Sequence, residues 1–446
     1  MTKSVSATNV SASSVNRATY LKHLLTQASA AADESGLPLK VLRDQAIKTV
    51  SDRTFPSGRD EEWRFTDLSD MLEKPFQRAP KSTDASATTA ALIAEATTLA
   101  TLNGHISSIP AKSIQTESTP NVIVAPLSEL IKRDDYEQKL ASTITKRLAQ
   151  VQGSEEVFTA LNTAGFTDVM VVWVSENQVV EHPICLERKA EGEAVTHLRT
   201  LVIAQSHSKL TLIESFTGTA GSDRCNTSVT EFWLAEGAQV NHIRLQDESS
   251  QTFHIGKTAV DQAANSRYQC TAIDLGAKLS RHHLEVYQAG PQTDTHMYGL
   301  SALRDRQLAD THSLLTLTHP HSSATQVQKN IVDDRAHAVF NGRVFVDKTA
   351  QLTNAAQLNR NLMLSSKARI DTKPELDIVA DNVKCAHGAT VSQLQADEVF
   401  YLQSRGISSE QAQRLLLYGF AMEIVEKISI ESLRQSLSDR LTEWAN

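Results

Sequence analysis

Cys385 and His387 stand two residues apart in the segment Val383-Lys384-Cys385-Ala386-His387-Gly388-Ala389-Thr390. On an extended strand that spacing puts a thiol and an imidazole on one face. Such a pair can ligate iron or zinc, or the imidazole can activate the sulfur. Two ligands fall short of the four that zinc and iron–sulfur centres generally take. The missing donors must come from distant segments or from another chain. By itself a C-x-H pair arises more often from packing than from ligation.

Histidines gather a little earlier in the chain: His312, His319, His321 and His337, with His282, His283 and His296 upstream. His319-Pro320-His321 has the look of a metal-binding pair, but the proline between them signals a turn. Solvated loop histidines are the plainer expectation for the group. Gly256-Lys257-Thr258 resembles the end of a phosphate-binding loop, yet Gln251 stands where that motif needs glycine. The acidic pairs Glu61-Glu62 and Asp333-Asp334 have the residue types of a general acid and base. Adjacent carboxylates diverge along a chain, so surface solvation is expected of both.

Three kinds of element position these residues. Near the N-terminus Leu39, Leu42, Ala46 and Val50 recur at helical spacing behind Pro38, and Tyr136, Leu140, Ile144 and Leu148 form a second helical stripe. This predicts a helical domain over 17–165, preceded by a disordered tail over 1–16. It is interrupted at 80–120 by an Ala/Ser/Thr-rich stretch expected to be a linker or a weakly packed insertion. From Asp168-Val169-Met170-Val171-Val172-Trp173-Val174 onward, short alternating segments predict a β domain over 166–394. A small motif returns there as Gly237-Ala238-Gln239-Val240, Gly276-Ala277-Lys278-Leu279, Thr349-Ala350-Gln351-Leu352, Lys367-Ala368-Arg369-Ile370 and Gly388-Ala389-Thr390-Val391. Its last three copies begin 18 and 21 residues apart, an interval read as about one rung of a β-solenoid. The periodicity favours a solenoid and leaves an antiparallel sandwich open.

Helical character resumes over 395–446. Ala396 to Arg405 reads as a helix closed by Gly406, and Ser408 with Gln411 gives a capping box for the next. That second helix carries Leu415, Leu416, Tyr418, Phe420, Met422 and Val425 on most of its circumference, so it must bury more than one face. A third helix, with Leu433, Leu437, Leu441 and Trp444, can cover only one.

With 446 residues the chain is long enough for two or three domains of about 100–200 residues each. A net charge of −8 without clustered Lys and Arg excludes a general nucleic-acid binder. Cys185, Cys225, Cys270 and Cys385 are dispersed and form no C-x-x-C pair, which fits reduced thiols and a cytoplasmic location. No apolar run is long enough to span a membrane.

The ordered series from about 320 to 428 resembles the SufB/SufD family of iron–sulfur cluster assembly scaffolds. The matching segments are Gln326-Val327-Gln328-Lys329-Asn330-Ile331, Ala338-Val339-Phe340-Asn341-Gly342, Ala350-Gln351-Leu352-Thr353-Asn354-Ala355, Asn361-Leu362-Met363-Leu364-Ser365, Lys373-Pro374-Glu375-Leu376-Asp377-Ile378, the Cys385/His387 segment and Phe400-Tyr401-Leu402-Gln403-Ser404-Arg405-Gly406-Ile407. Glu61-Glu62-Trp63-Arg64-Phe65-Thr66-Asp67-Leu68 is similar to the N-terminal signature of the SufD branch.

This resemblance implies a right-handed parallel β-helix between helical ends, and a non-catalytic role. It implies pairing with a SufB-like subunit, and docking of a SufC-like ATPase on the C-terminal helices through Leu415, Leu416, Tyr418, Phe420, Met422 and Val425. Hydrolysis of ATP would belong to that ATPase. His387, with Cys385 as the weaker candidate, would contribute to a transient iron–sulfur cluster shared with the partner, and no permanently bound cofactor is expected. An open solenoid edge also invites a homodimer of the free chain. Two rival readings remain at this point, a carbohydrate-active β-helix enzyme and a zinc hydrolase built on the histidines.

Overall fold

The computed structural model describes residues 17–33, 35–79, 93, 95–108, 121–133 and 140–445. The expected tail at 1–16, Tyr136 and much of 80–120 lie outside the described residues. Two sheets run side by side through the chain. The even sheet holds β4 Met170–Val174, β6 Ala194–Ala204, β8 Arg224–Leu234, β10 Thr252–Gln262, β12 Leu279–Gln288, β14 Leu308–Leu317, β16 His337–Val346 and β18 Arg369–Ile378. The odd sheet holds β5 Ile184–Ala190, β7 Lys209–Gly218, β9 Gln239–Asp247, β11 Arg267–Asp274, β13 Asp294–Leu303, β15 Ser323–Val332, β17 Asn354–Met363 and β19 Lys384–Ser392. Each strand pairs in parallel with the strand two places on, so the chain winds as a parallel β-solenoid of about 8 turns.

The winding follows from a corner repeated once per rung. Asn177, His207, Gly237, Asn265, Gln292, His321 and Leu352 all have positive φ, and each precedes an odd strand. The amide of each donates to a carbonyl one rung further along: His207 to Glu236, Gly237 to Ala264, His321 to Gln351, Leu352 to Asn382. A left-handed backbone costs a non-glycine residue about 1–2 kcal/mol, and the inter-rung hydrogen bond holds it there. The next residue is small and buried, as at Ser208, Ala238, Ser266, Thr293, Ser322 and Thr353, because a larger side chain would not fit the corner.

Partner positions lie 26 residues apart at Phe253 and Leu279 and 32 apart at His337 and Arg369. The 18- and 21-residue intervals are therefore not rungs. Thr349–Leu352 is a corner, Lys367–Ile370 leads into β18, and Gly388–Val391 lies within β19, so the copies sit at different places on the rung.

Alternate side chains of each strand face the space between the sheets. An apolar core including Val172, Leu212, Phe232, Val286, Leu315 and Val346 runs along that space. The outer face of the even sheet is covered by N-terminal helices α1 Arg17–Asp33, α2 Lys40–Ser51, α3 Ser69–Leu72, α4 Leu127–Leu130, α5 Ala141–Arg147 and α6 Val157–Gly165. C-terminal helices α7 Ala396–Gln403, α8 Ser409–Val425 and α9 Glu431–Trp444 follow β19, and α8 and α9 pack on the outer face of the odd sheet.

Strands also arise within the Ala/Ser/Thr-rich stretch. β1 Thr97–Leu102 pairs in parallel with β5, and β2 Pro-free His105–Ser108 pairs antiparallel with β1. β3 Val122–Pro126 lies antiparallel to β4, so antiparallel strands close both sheets at this end.

Candidate functional site

The opposite end of the solenoid is built differently. Among the described residues, β18 pairs only with β16 and β19 only with β17, so both terminal strands present an unpaired edge. Unpaired edges are templates for another chain. The side chains around them match. Apart from Val41 and Val179, the large exposed apolar residues among those described all fall between Leu352 and Leu415. Ile378, Val379 and Val391 belong to the terminal rung, and Phe400 and Tyr401 lie on α7, which buries none of its residues.

Register fixes where the C-x-H pair faces. Cys385 lies opposite Ala355 and His387 opposite Gln357, both of which are buried between the sheets. The two side chains therefore share the face turned toward the solenoid interior, as their spacing predicts. Cys385 is half-buried against the apolar core, and burial pushes its thiol above the usual range. His387 is exposed on the last rung. Beneath it the interior changes from apolar to amide. Gln357 donates to Gln326 at 2.9 Å, Gln326 donates to Ser313 at 2.8 Å, and Asn330 donates to Asn361 at 2.7 Å. No three His, Cys, Asp or Glu side chains among the described residues converge to hold a metal ion. The pair is thus half a site.

Helix α8 meets two neighbours. Val425 is fully buried against the odd sheet, and Phe420 and Met422 pack beside it. Lys329 of β15 anchors the helix: its ammonium lies 4.3 Å from the Phe420 ring centroid, donates to the Phe420 carbonyl at 3.0 Å and pairs with Glu423. Tyr418 shares a 2.9 Å hydrogen bond with Ser438 of α9. Leu416 is half-buried, and Leu415 is 51% exposed. Much of the apolar circumference noted in the sequence is accordingly spent on the solenoid.

Most of the histidines are not loop residues. His321 is the left-handed corner residue of its rung, and His319 shares a 2.9 Å hydrogen bond with Thr318 in the same turn. The others lie on strands. His282 faces the interior and meets Thr258 at 3.0 Å, and His337 pairs with Asp371 at 2.7 Å. His283 and His312 face outward beneath the N-terminal segment, with ring centroids 6.0 Å apart. The expectation of solvated loop histidines holds for the turn residues His319 and His321 and fails for the strand histidines, because every second strand residue points into a covered face. Burial, with Lys257 and Arg281 nearby, holds His283 well below the usual imidazole range.

Here the SufD-like signature finds its place. Trp63 lies over the Arg281 guanidinium, 4.0 Å from ring centroid to Cζ, and Thr66 donates to Asp310, which also pairs with Arg281 and His312. Glu62 lies 3.7 Å from His312, and Glu61 pairs with Lys373 of β18 at 2.8 Å. The Glu61-Glu62 pair is solvent-exposed, as expected, and is also part of a strap across the even sheet. Gly256-Lys257-Thr258 lies within β10, where Lys257 pairs with Glu285 at 2.9 Å. Asp333 and Asp334 form a corner, and Asp334 accepts from the amide of Asp305.

A second polar group is sealed inside the solenoid. His242 lies 3.3 Å from Glu214, 2.9 Å from the Tyr268 hydroxyl and 3.7 Å from the Cys270 sulfur. Thr200 and Thr230 also donate to Glu214, at 3.0 and 2.7 Å. Burial disfavours both charges, yet Cys270 and Glu214 together push His242 up to about 9, while His242 and Arg188 bring Glu214 down to about 2.

Comparison with known proteins gives this arrangement its context. Residues 186–420 match the family described as SUF system FeS cluster assembly, SufBD core domain, and residues 15–186 match the SufBD protein N-terminal region. The chain belongs to the SufBD family. It is 43% identical to the iron-sulfur cluster assembly SufBD family protein slr0076 of Synechocystis, over 89% of this chain and 88% of the relative. It is 33% identical to Protein ABCI7, chloroplastic, of Arabidopsis thaliana, over 93% and 88%. The iron-sulfur cluster assembly protein SufD of Escherichia coli is 27% identical over 87% and 88%. SufBD members are assembly subunits, and no catalytic function is named for them. Neither the comparisons nor the metal-ligand geometry supports the polysaccharide-active or zinc-hydrolase readings. No helix among the described residues is long and apolar enough to cross a membrane.

Proposed function

We propose that this SufBD protein is a SufD-type scaffold subunit that builds a nascent iron–sulfur cluster jointly with a SufB-like partner. One observation carries the reading. The rung bearing His387 and Cys385 is also the rung with unpaired edges and exposed apolar side chains. A partner strand added along β19 would supply hydrogen bonds to the edge and cover Val391 and Phe400. The same approach would bring a second chain's ligands to His387, completing a set that this chain lacks. Cys385 faces the same way, but its raised pKa makes it the poorer ligand at neutral pH.

A SufC-like ATPase docks, in this reading, on the part of α8 left open around Leu415. The cluster is cargo, held until transfer. When no SufB-like subunit is present, the same edges are available to a second copy of the chain.

The test is co-purification of the tagged chain with SufB-like and SufC-like partners, followed by anaerobic reconstitution and assay of iron and sulfide. His387→Ala should leave the complex intact and lower both contents at least several-fold. A complex that loads equally without His387 would end the ligand role.

A further inference from the structure

We propose that Gln357 is a positioning residue for His387, accepting a ring N–H so that the opposite ring nitrogen faces outward from the last rung. The inference rests on the reading of His387 as a ligand, but its test does not require a cluster.

Side chains stacked on adjacent rungs of the odd sheet bond one another. Gln326 and Gln357 are register partners, and Gln357 Nε2 donates to Gln326 Oε1 at 2.9 Å. Asn330 and Asn361, four positions along the same strands, are joined in the same way at 2.7 Å. His387 is the next member of the Gln326–Gln357 column, one rung further out.

The orientation of the Gln357 amide is also set. Its nitrogen is committed to Gln326, whose own amide nitrogen is committed to Ser313. Gly342 leaves the room this requires, since a Cβ there would overlap Gln357 Nε2. What remains is Gln357 Oε1, which is buried and has no hydrogen-bond partner among the described residues, on a residue only 3% exposed. A buried carbonyl without a donor is costly. His387 is the register partner of Gln357 on the next rung, so its imidazole is the neighbouring side chain placed to donate to this oxygen. An imidazole N–H given to it would fix the neutral tautomer, as partners behind metal-ligating histidines do.

The experiment is nitrogen-detected NMR of the full chain labelled at histidine, with the His387 signals assigned by their loss in His387→Ala. One neutral tautomer should dominate in the unaltered chain and in Gln357→Glu, which keeps an acceptor. Gln357→Leu should return a mixture. If that variant does not fold, Gln326→Leu frees the Gln357 amide to turn and should give the same mixture. In the reconstituted complex, Gln357→Leu should weaken iron binding by roughly tenfold. A tautomer mixture in the unaltered chain, or one tautomer that survives both leucine substitutions, would overturn the proposal. A fixed tautomer together with full iron loading in His387→Ala would leave the positioning intact and remove the ligand reading instead.

Discussion

Replacing Glu214 with Gln should flatten the dependence of stability on alkaline pH. His242 is raised from its ordinary 6.5 to about 9 by Cys270 and Glu214 working against burial. A group whose pKa rises on folding stabilises the fold fully below its unfolded pKa, and the contribution fades as pH climbs through the folded value. The stabilisation is therefore present below about pH 6.5 and lost as pH rises past about 9. At 1.36 kcal/mol per unit it amounts to about 3 kcal/mol as an upper value. Other groups act in the same window. Burial pushes the thiols of Cys185 and Cys225 to about 12, so their ionisation in the unfolded chain also costs stability above about pH 9.

The difference between two chains isolates His242. Urea unfolding of the native protein and of Glu214→Gln, from pH 6 to 10, should give curves that converge toward high pH by a share of that value of about 3 kcal/mol, the remainder belonging to Cys270. Once the carboxylate is gone, only Cys270 still opposes burial, so His242 gives up its proton at a lower pH than in the native chain. Parallel curves would refute the assignment of a charged imidazole inside the solenoid.

Three more outcomes test other parts of the account. Val391→Asp or Phe400→Asp should abolish co-purification with a SufB-like subunit while moving stability by no more than about 0.5 kcal/mol, because both residues are exposed in the chain alone; retained binding would place the interface elsewhere. Thiol titration of the native chain should find one fast-reacting cysteine, absent in Cys385→Ser, since Cys185, Cys225 and Cys270 are buried; a second fast thiol would show that the solenoid opens. Trp63→Ala removes a ring packed on Arg281 and Phe158 and should cost roughly 3–5 kcal/mol, with faster amide exchange through residues 55–76. Unchanged exchange would mean that the strap is held by its ion pairs alone.

The fold class was legible because strand alternation and small corner residues are written locally. The rung length was not. Its true marker is a left-handed residue followed by a small buried one, as in His207-Ser208, Asn265-Ser266 and His321-Ser322. Residue types vary too much at the left-handed position to be noticed without knowing that an inter-rung hydrogen bond supports it. The shared face of Cys385 and His387 follows from their spacing alone, whereas the amide column beneath them depends on register across rungs about thirty residues apart.

The strap was invisible for a similar reason. Nothing near Glu61-Glu62-Trp63 indicates that Arg281, Asp310, His312 and Lys373 await it on three different strands. Helix α8 could be read as needing two covered faces, but not which of its residues the solenoid takes. Lys329 and Glu423 settle that through a contact between residues 94 positions apart.

The central claim is that His387 of this chain binds the nascent cluster. Pulsed EPR of the reduced, reconstituted complex, with nitrogen-15 histidine in this subunit alone, reads that bond directly. A nitrogen-15 coupling that disappears in His387→Ala is the predicted result. A cluster with no histidine coupling from this chain would contradict the claim.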